Sequence, residues 1–372
     1  MAVRLSSHRS TPDTSPAKAG HIRVYTEGDR LYDAMLRAVA GARHTVKLET
    51  YIFAYDEIGR RFVTALCERA AAGVQVLVHV DAVGSLFLGS HKMGRALRQG
   101  GVHLRWFHRW SWRDPLRYNR RNHRKLLTVD GKIGFLGGFN IHRQSSLAAY
   151  GEQRWRDTHL EVRGLLAHQL QTLFNAFWRR RQRRSPFLQT HDGEMLITNH
   201  SRHGRLFLRD LYAEKFTAAE KRIWITTPYF VPDRRTQRGL MRAALRGIEV
   251  LLLVPSKSNQ HLANWAAHAA YANLLAAGVH IYEYLPRMLH AKTIVVDDVW
   301  SCVGTANMDY RSFFLNYELN LASTDRKLAR TLERQFRHDL SESKRVQPRK
   351  WARRGWLLRI LEFVGWAARR WL

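Results

Sequence analysis

Cysteine is almost missing from this chain: two in 372 residues. Cys67 falls in a helical pattern and Cys302 in a strand pattern, so both read as core thiols and no disulfide framework can form. No group of Cys and His has the spacing of a zinc site. No run of 18 apolar residues occurs, so no spanning helix is expected. The first 21 residues are rich in Ser, Thr, Pro and Ala and lack an apolar signal core, and they read as a disordered lead-in. Acid is scarce as well. Sixty-one Lys and Arg face 31 Asp and Glu, a formal net charge of +30. Such a field draws polyanions, either nucleic acid or an anionic membrane surface. What is present in ordinary measure is apolar residue, 45% of the chain, enough for a full core in one large or two medium domains.

The chain contains one unit twice. Residues 45–55 (TVKLETYIFAY) read as a strand, followed by a helix (RRFVTALCERAAAG) and a strand (VQVLVHVDAVG). Residues 222–232 (RIWITTPYFVP) open the same series, with RGLMRAALRG and IEVLLLVPSKS. Both copies continue through a helix to GVHLRWF or GVHIYEY, and then to a hydrophobic hairpin. The first hairpin is HRKLLTVDGKIGFLGGFN, residues 123–140, and the second is HAKTIVVDDVWSCVGTAN, residues 290–307. From His123, Lys125 lies at offset 2, Asp130 at 7, Gly137 at 14 and Asn140 at 17. From His290, the same offsets give Lys292, Asp297, Gly304 and Asn307. The expected fold is α/β, with two similar βα sandwich halves, each a mixed sheet flanked by helices. A pseudo-twofold axis should relate them, with the active site at their interface. The halves are placed at 22–185 and 186–345, and RRRQRRS (179–185) ends a helix and begins the connection.

Alternation along a strand sends the His and Lys of each motif to one face. If the halves meet there, two imidazoles and two ammonium groups converge, a set suited to a phosphodiester. One neutral His can attack phosphorus, and the other, protonated, can release its proton to the leaving alkoxide. Lys125, Lys292, Asn140 and Asn307 can hold the non-bridging oxygens. This chemistry calls for no metal and no cofactor. A nucleophilic imidazole needs a carboxylate on its other nitrogen to fix tautomer and orientation. Asp157 in WRDTHLEV and Glu318 in NYELNLAS, each just before a strand, are the candidates. Asp130 and Asp297 read as residues of the hairpin turns.

These residues resemble the HxKxxxxD signature of the phospholipase D superfamily in its two-copy form. ETYIFAYDEIG, ITTPYFVPD and GTANMDYRSFFLNYELN are similar to bacterial cardiolipin synthases, and the lack of expected N-terminal spans with the Arg/Trp-rich C-terminus most resembles the B type. The resemblance spans roughly residues 22–340 and adds Asp130 and Asp297 to the catalytic set with His123, Lys125, His290 and Lys292. It implies a phosphatidyl transfer in which two phosphatidylglycerols become cardiolipin and glycerol, with phosphatidylethanolamine as another possible substrate. By the same resemblance His123 is the nucleophile and His290 the general acid; the residues themselves leave those two roles open. One departure stands out: Thr305 occupies the place that Gly138 holds in the first copy.

The tail, residues 346–372, reads as a basic, Trp-rich amphipathic helix. Trp356, Ile360, Phe363, Val364, Ala367 and Trp371 share one helical face, while Arg residues lie mostly elsewhere. It should lie in a membrane interface with its Arg heads on anionic phosphates; the alternative is a terminal helix docked on the core. The first half carries about ten extra residues at 108–121, where Trp110 and Trp112 read as a second membrane contact. The expected partner is an anionic phospholipid membrane, at the cytoplasmic face of the bacterial inner membrane, with no obligate protein partner. Nucleic acid is not favoured. The rival functions are a phospholipase that hydrolyses, a nuclease using the same pocket, and a non-catalytic scaffold.

Overall fold

A computed structural model of the chain describes residues 22–108, 119–180, 187–190, 193–257 and 261–355, together with residues 362, 364, 365 and 367. The first half runs β1 (Ile22–Tyr25), α1 (Gly28–Ala40), β2 (Thr45–Thr50), α2 (Glu57–Ala71), β3 (Gln75–Asp81), α3 (Ser90–Gln99), β4 (His103–Phe107), β5 (Leu126–Val129), β6 (Ile133–Gly137), α4 (Leu147–Tyr150), β7 (His159–Arg163) and α5 (Leu165–Trp178). The second runs β8 (Phe187–Gln189), β9 (Met195–Thr198), α6 (Arg202–Ala218), β10 (Arg222–Thr226), β11 (Phe230–Val231), α7 (Arg234–Leu245), β12 (Glu249–Pro255), α8 (His261–Ala276), β13 (His280–Tyr284), β14 (Thr293–Val296), β15 (Trp300–Gly304), β16 (Met308–Asp309), α9 (Tyr310–Phe314), β17 (Leu319–Ser323), α10 (Arg326–Ser341), β18 (Ser343–Arg345) and α11 (Pro348–Ala352).

The repeat read from the sequence is a repeat of topology. The first sheet has the order β1-β7-β6-β5-β2-β3-β4. Within the second, β9-β17-β15-β14-β10-β12-β13 reproduces that order, and β8 and β18 extend its two edges. Directions match too: β2, β3 and β4 are parallel, as are β10, β12 and β13, and each hairpin joins its sheet antiparallel. Both sheets are covered on two faces, which is why strands such as EVLLLVP in β12 read as unbroken apolar runs. On the outer faces, α1 to α3 and α6 to α8 build one core each. A third core joins the halves: Leu126, Leu136 and Leu160 of the first sheet, Trp224, Leu251 and Val303 of the second, and Phe174 of α5 with Phe336 of α10. The two sequence-expected strands that begin at Thr45 and Arg222 end early, at Thr50 and Thr226. Beyond Thr50 the backbone leaves the sheet to bond elsewhere: Ile52 N donates to Asn140 Oδ1, 3.0 Å away.

The hairpins close through three-residue loops, with Val129 opposite Ile133 and Val296 opposite Trp300. Asp130 and Asp297 open these loops at φ 53° and 52°, left-handed values that Asp tolerates better than most residues. The Asp130 carboxylate accepts the backbone N–H of Arg43, His44 and Thr45 at 2.9, 2.9 and 2.7 Å. Asp297 does the same for Glu220, Lys221 and Arg222 at 3.2, 2.8 and 3.0 Å. Burial opposes ionisation of Asp130, but the three N–H groups prevail and hold its carboxyl below the usual range.

The terminal segment lies on α8 at its described residues. Trp351 packs on His268 and Tyr271, with ring centroids 5.0 and 5.1 Å apart. Glu362 is buried and pairs with Arg354, and a Cβ at Gly365 would come within 2.6 Å of the Ala266 nitrogen. These contacts are those of the docked alternative. Trp110, Trp112, Trp356, Phe363 and Trp371 lie outside the described residues. Among the described residues no helix is long and apolar enough to cross a membrane.

Because Asp130 clamps a hairpin to the start of β2, Asp130→Ala should cost about 2 kcal/mol in urea unfolding, with Asp130→Asn intermediate. A loss below a few tenths of a kcal/mol would show that the clamp carries no stability.

Candidate active site

The site is made where the halves cross. Asn122, before β5, forms an isolated bridge to Tyr317, and Arg156, after α4, forms one to Leu289. The His123 N–H donates to Tyr317 O at 2.9 Å, and the Tyr317 N–H to Arg121 O at 2.9 Å. Reciprocally, the His290 N–H donates to Arg156 O at 2.7 Å, and the Arg156 N–H to Met288 O at 2.9 Å. Each bridging residue, Tyr317 or Arg156, is followed directly by a carboxylate. Glu318 of the second half thus reaches His123 of the first, with Nδ1 to Oε2 at 3.0 Å. Asp157 of the first half reaches His290 of the second, with Nδ1 to Oδ2 at 2.5 Å. An Nδ1–H given to a carboxylate leaves the Nε2 lone pair of each ring free.

His123, Lys125, His290 and Lys292 precede the strands proper, which begin at Leu126 and Thr293. The Lys125 ammonium donates to His123 O at 2.7 Å, and that of Lys292 to His290 O. Asp81 and Glu49 brace the first loop from beneath. Asp81 accepts the Asn122 N–H at 2.8 Å and Arg121 Nε at 3.1 Å, and Glu49 accepts Asn122 Nδ2 at 2.7 Å. Arg124 is fully buried between Glu49, the Phe177 ring and His200, to which its Nη1 donates at 2.6 Å.

The two carboxylates are held differently. Glu318 accepts Thr305 Oγ1 at 2.5 Å and Ser312 Oγ at 2.9 Å. Asp157 accepts the Thr158 N–H at 2.7 Å, and a Cβ at Gly138 would fall 1.9 Å from its Oδ1. The departure of Thr305 from Gly138 therefore has a physical cause: one position supplies a hydroxyl to Glu318, the other must leave room for Asp157. Asn140 turns its carbonyl to Ile52, while Asn307 Nδ2 donates to Asp309 at 3.0 Å. The structure does not bring Asp130 and Asp297 to this centre. They sit at the far ends of the hairpins as backbone clamps, which corrects their place in the catalytic set.

Burial sets the electrostatics. It pushes His123 down, against Glu318, with Lys125 and Lys292 adding to the depression. His290 is pushed down to about 3 by burial and by Lys292. Lys125 falls to about 7 through burial and the charge of Lys292, and Lys292 to about 8 through burial. Asp157 is also buried, yet Lys292 and His290 keep its carboxyl below the usual range. Lys125 and Lys292 come from different halves, so the charge of Lys292 acts on Lys125 across the interface. Burial thus favours neutral imidazoles and loosely held lysine protons, an arrangement that a phosphate anion complements.

The walls are unlike. Tyr51 meets His123 edge to face at 5.2 Å, and Trp155 lies 5.1 Å from His290. Beside His123 a cavity of about 450 Å³ is lined by His79, Phe107, Phe177, Trp178, His200 and Tyr317. The matching region beside His290 is a smaller cavity of about 340 Å³ whose lining is ion-paired. Arg156 grips Asp339 with Nε and Nη2 at 3.1 and 2.8 Å, and Glu27 accepts from Arg154 and Arg287 at 2.8 and 3.0 Å. Sequence reasoning did not single out Tyr317, Arg156, Arg124 or His200. For the first two a signal existed, since each directly precedes a candidate carboxylate.

The family model described as "Cardiolipin synthase, PLD-like domain" matches residues 35–178 and 212–340. A probable cardiolipin synthase of Bacillus subtilis (strain 168) is 33% identical over 351 residues, 90% of this chain and 69% of the relative. Cardiolipin synthase A of Pseudomonas aeruginosa is 36% identical over 340 residues, 88% of this chain and 68% of the relative. Among solved structures, the phosphatidylserine synthase of Haemophilus influenzae Rd KW20 shares the fold, with TM-score 0.69 at 12% identity over 94% of this chain and 95% of that one. With its two matched motifs and their crossed carboxylates, the chain belongs to the cardiolipin synthase family of phospholipase D-like phosphatidyltransferases.

Proposed function

We propose that the chain moves a phosphatidyl group between two phospholipids, making cardiolipin and glycerol from two phosphatidylglycerols. The observation that carries this reading is the pair of imidazoles, each held by the other half's carboxylate with Nε2 free. His123 Nε2 attacks the phosphorus of the first lipid, and the bond from phosphorus to the headgroup glycerol oxygen breaks. His290, protonated when the anionic diester arrives, gives its Nε2 proton to that oxygen, and glycerol leaves. A headgroup hydroxyl of the second lipid then passes its proton to His290 and attacks phosphorus. The N–P bond breaks and cardiolipin departs. Lys125, Lys292 and Asn140 hold the non-bridging oxygens as charge develops. His123 and His290 are only 8% and 6% exposed, which favours a lipid alcohol over bulk water as acceptor. Phosphatidylethanolamine is a second candidate donor.

The same reading places the protein peripherally on an anionic bilayer, at the cytoplasmic face of the bacterial inner membrane. Its +30 charge supports this, as does the loop after β3. There Leu86, Phe87 and Leu88 are 43%, 92% and 37% exposed. Phe87 is held at φ 63°, an unfavourable backbone for an aromatic residue. This loop is tied to the wall of the site: Ser85 Oγ donates to Tyr51 O at 3.3 Å, and the Tyr55 N–H donates to Leu88 O at 2.8 Å. Apolar side chains presented there would enter the acyl layer beside the pocket.

Purified protein with phosphatidylglycerol vesicles should yield cardiolipin and glycerol; phosphatidic acid alone, or nicking of DNA in a parallel assay, would replace this reading. His123→Ala should lower turnover on the order of 10⁴-fold or more and abolish the phosphorylated-protein adduct seen by mass spectrometry. His290→Ala should slow turnover similarly and let the adduct accumulate; an adduct in the His123 variant would reverse the two roles. Anion binding should depend on pH. A bound diester raises the lysine values from about 7 and about 8, so affinity is full below pH 7. It falls as pH rises through that window, by up to roughly tenfold per unit. Calorimetry with glycerophosphorylglycerol from pH 6 to 9 measures this, and a flat profile would contradict it. Phe87→Ser should weaken partition onto phosphatidylglycerol vesicles roughly tenfold while leaving binding of the soluble headgroup diester unchanged. Equal partition would remove the loop from the membrane contact.

A further inference from the structure

Comparing the two copies position by position uncovers a place where the repeat breaks. Val46 faces Val129 in the first sheet as Ile223 faces Val296 in the second, so Lys47 and Trp224 are equivalent. Gly137 faces His159 as Gly304 faces Asn320, so along the following helices Asn175 is equivalent to Phe336. In the second half this slot is sealed: Trp224 stacks on Phe336 with centroids 5.0 Å apart, and both are buried. In the first half Lys47 and Asn175 line an open cleft of about 540 Å³.

The lining of that cleft is cationic. Arg98, Arg105 and Arg179 surround Lys47, and no carboxylate is among the lining residues. Lys47 is 5% exposed, and among the described residues its ammonium has no hydrogen-bond or ion-pair partner. Burial depresses its pKa first and Arg179 second, with no acid acting in the other direction. The Lys47 ammonium lines the open cleft among guanidiniums, and a cluster of like charge without a counter-ion is complemented by an anion. Planar guanidinium forks beside an ammonium are the donor set that phosphate oxygens satisfy.

We propose that this cleft is a second phosphate-binding site, separate from the His/Lys centre, in which Lys47, Arg98, Arg105 and Arg179 hold the oxyanion of a phosphate ester. Arg105 and Trp178 line both this cleft and the cavity beside His123, so the two adjoin. A phosphate held here lies next to the cavity on the His123 side, at a slot that the second half seals with Trp224 and Phe336. The chemistry suits an anionic phospholipid headgroup or a free phosphate, and the inference stands apart from the catalytic reading.

The test is protection of Lys47 from acetylation by an N-hydroxysuccinimide ester, read by peptide mass spectrometry on the full chain. Lys47 should react in the free protein and be protected by glycerol 1-phosphate or inorganic phosphate at millimolar concentration, or by phosphatidylglycerol vesicles but not phosphatidylcholine vesicles. Protection by the soluble probes assigns the site to phosphate from either source; protection by phosphatidylglycerol vesicles alone, with exposed Lys132 still reactive, assigns it to a lipid headgroup. In Arg179→Gln, a surface change, the half-protecting concentration should rise roughly fivefold. A Lys47 that is unreactive in the free protein, or acetylated equally with every probe, would overturn the proposal. Lys125 and Lys292 in the same digest report the catalytic pocket independently, so failure at one site is distinguishable from failure at the other.

Discussion

Everything catalytic here depends on a crossing: each half of the molecule lends a carboxylate to the other half's histidine. Neither half supplies the carboxylate for its own motif histidine. The partners are 195 and 133 residues apart in sequence, and what unites them is a pair of short backbone bridges laid over a shared apolar core. The bridges fix the register, so Glu318 and Asp157 arrive at Nδ1 and leave Nε2 facing the space between the halves. Burying four ionisable motif residues with their carboxylates is costly. The cost is offset by pairing on one side and is left standing on the other, in lysines whose protons are loosely held. That residual imbalance is complementary to one phosphate.

The two halves share one topology and differ at a few positions that matter. Glycine at 138 makes room for Asp157, and threonine at 305 donates a hydrogen bond to Glu318, so the rings are matched in orientation but not in surroundings. Beside His123 lies an aromatic cavity that adjoins a cationic cleft; beside His290 the matching cavity is lined with ion pairs. A transferase that handles two lipids in sequence at one phosphorus has use for such inequality, because donor and acceptor meet the centre from different sides.

Much of this was legible in the chain. The identical offsets of His, Lys, Gly and Asn announced the duplication, and the alternating elements around them announced the sheets. Asp157 and Glu318 could be picked out as orienting groups because each precedes a strand. Which histidine each serves could not, since that pairing is set by packing between distant segments. Asp130 and Asp297 share the motif's spacing with the catalytic residues, yet a turn position at the far end of a hairpin puts them at the backbone of β2 and β10. Lys47 looked like any polar residue in a strand. It gains meaning only beside Trp224, its structural equivalent, and that equivalence is a matter of sheet register. The membrane contacts expected at Trp110, Trp112, Trp356, Phe363 and Trp371 fall outside the described residues, while the exposed loop at Phe87 carries no periodicity by which a sequence could reveal it.

The crossing is tested most directly by the tautomers of His123 and His290 in the free protein, read at pH 7 by nitrogen-15 NMR of labelled histidine with each resonance assigned by substitution. Both rings should be neutral with the proton on Nδ1, and Glu318→Gln should perturb the His123 resonances while leaving those of His290 largely in place. A proton on Nε2 of either ring, or a Glu318→Gln change felt at His290 instead of His123, would contradict the crossed pairing.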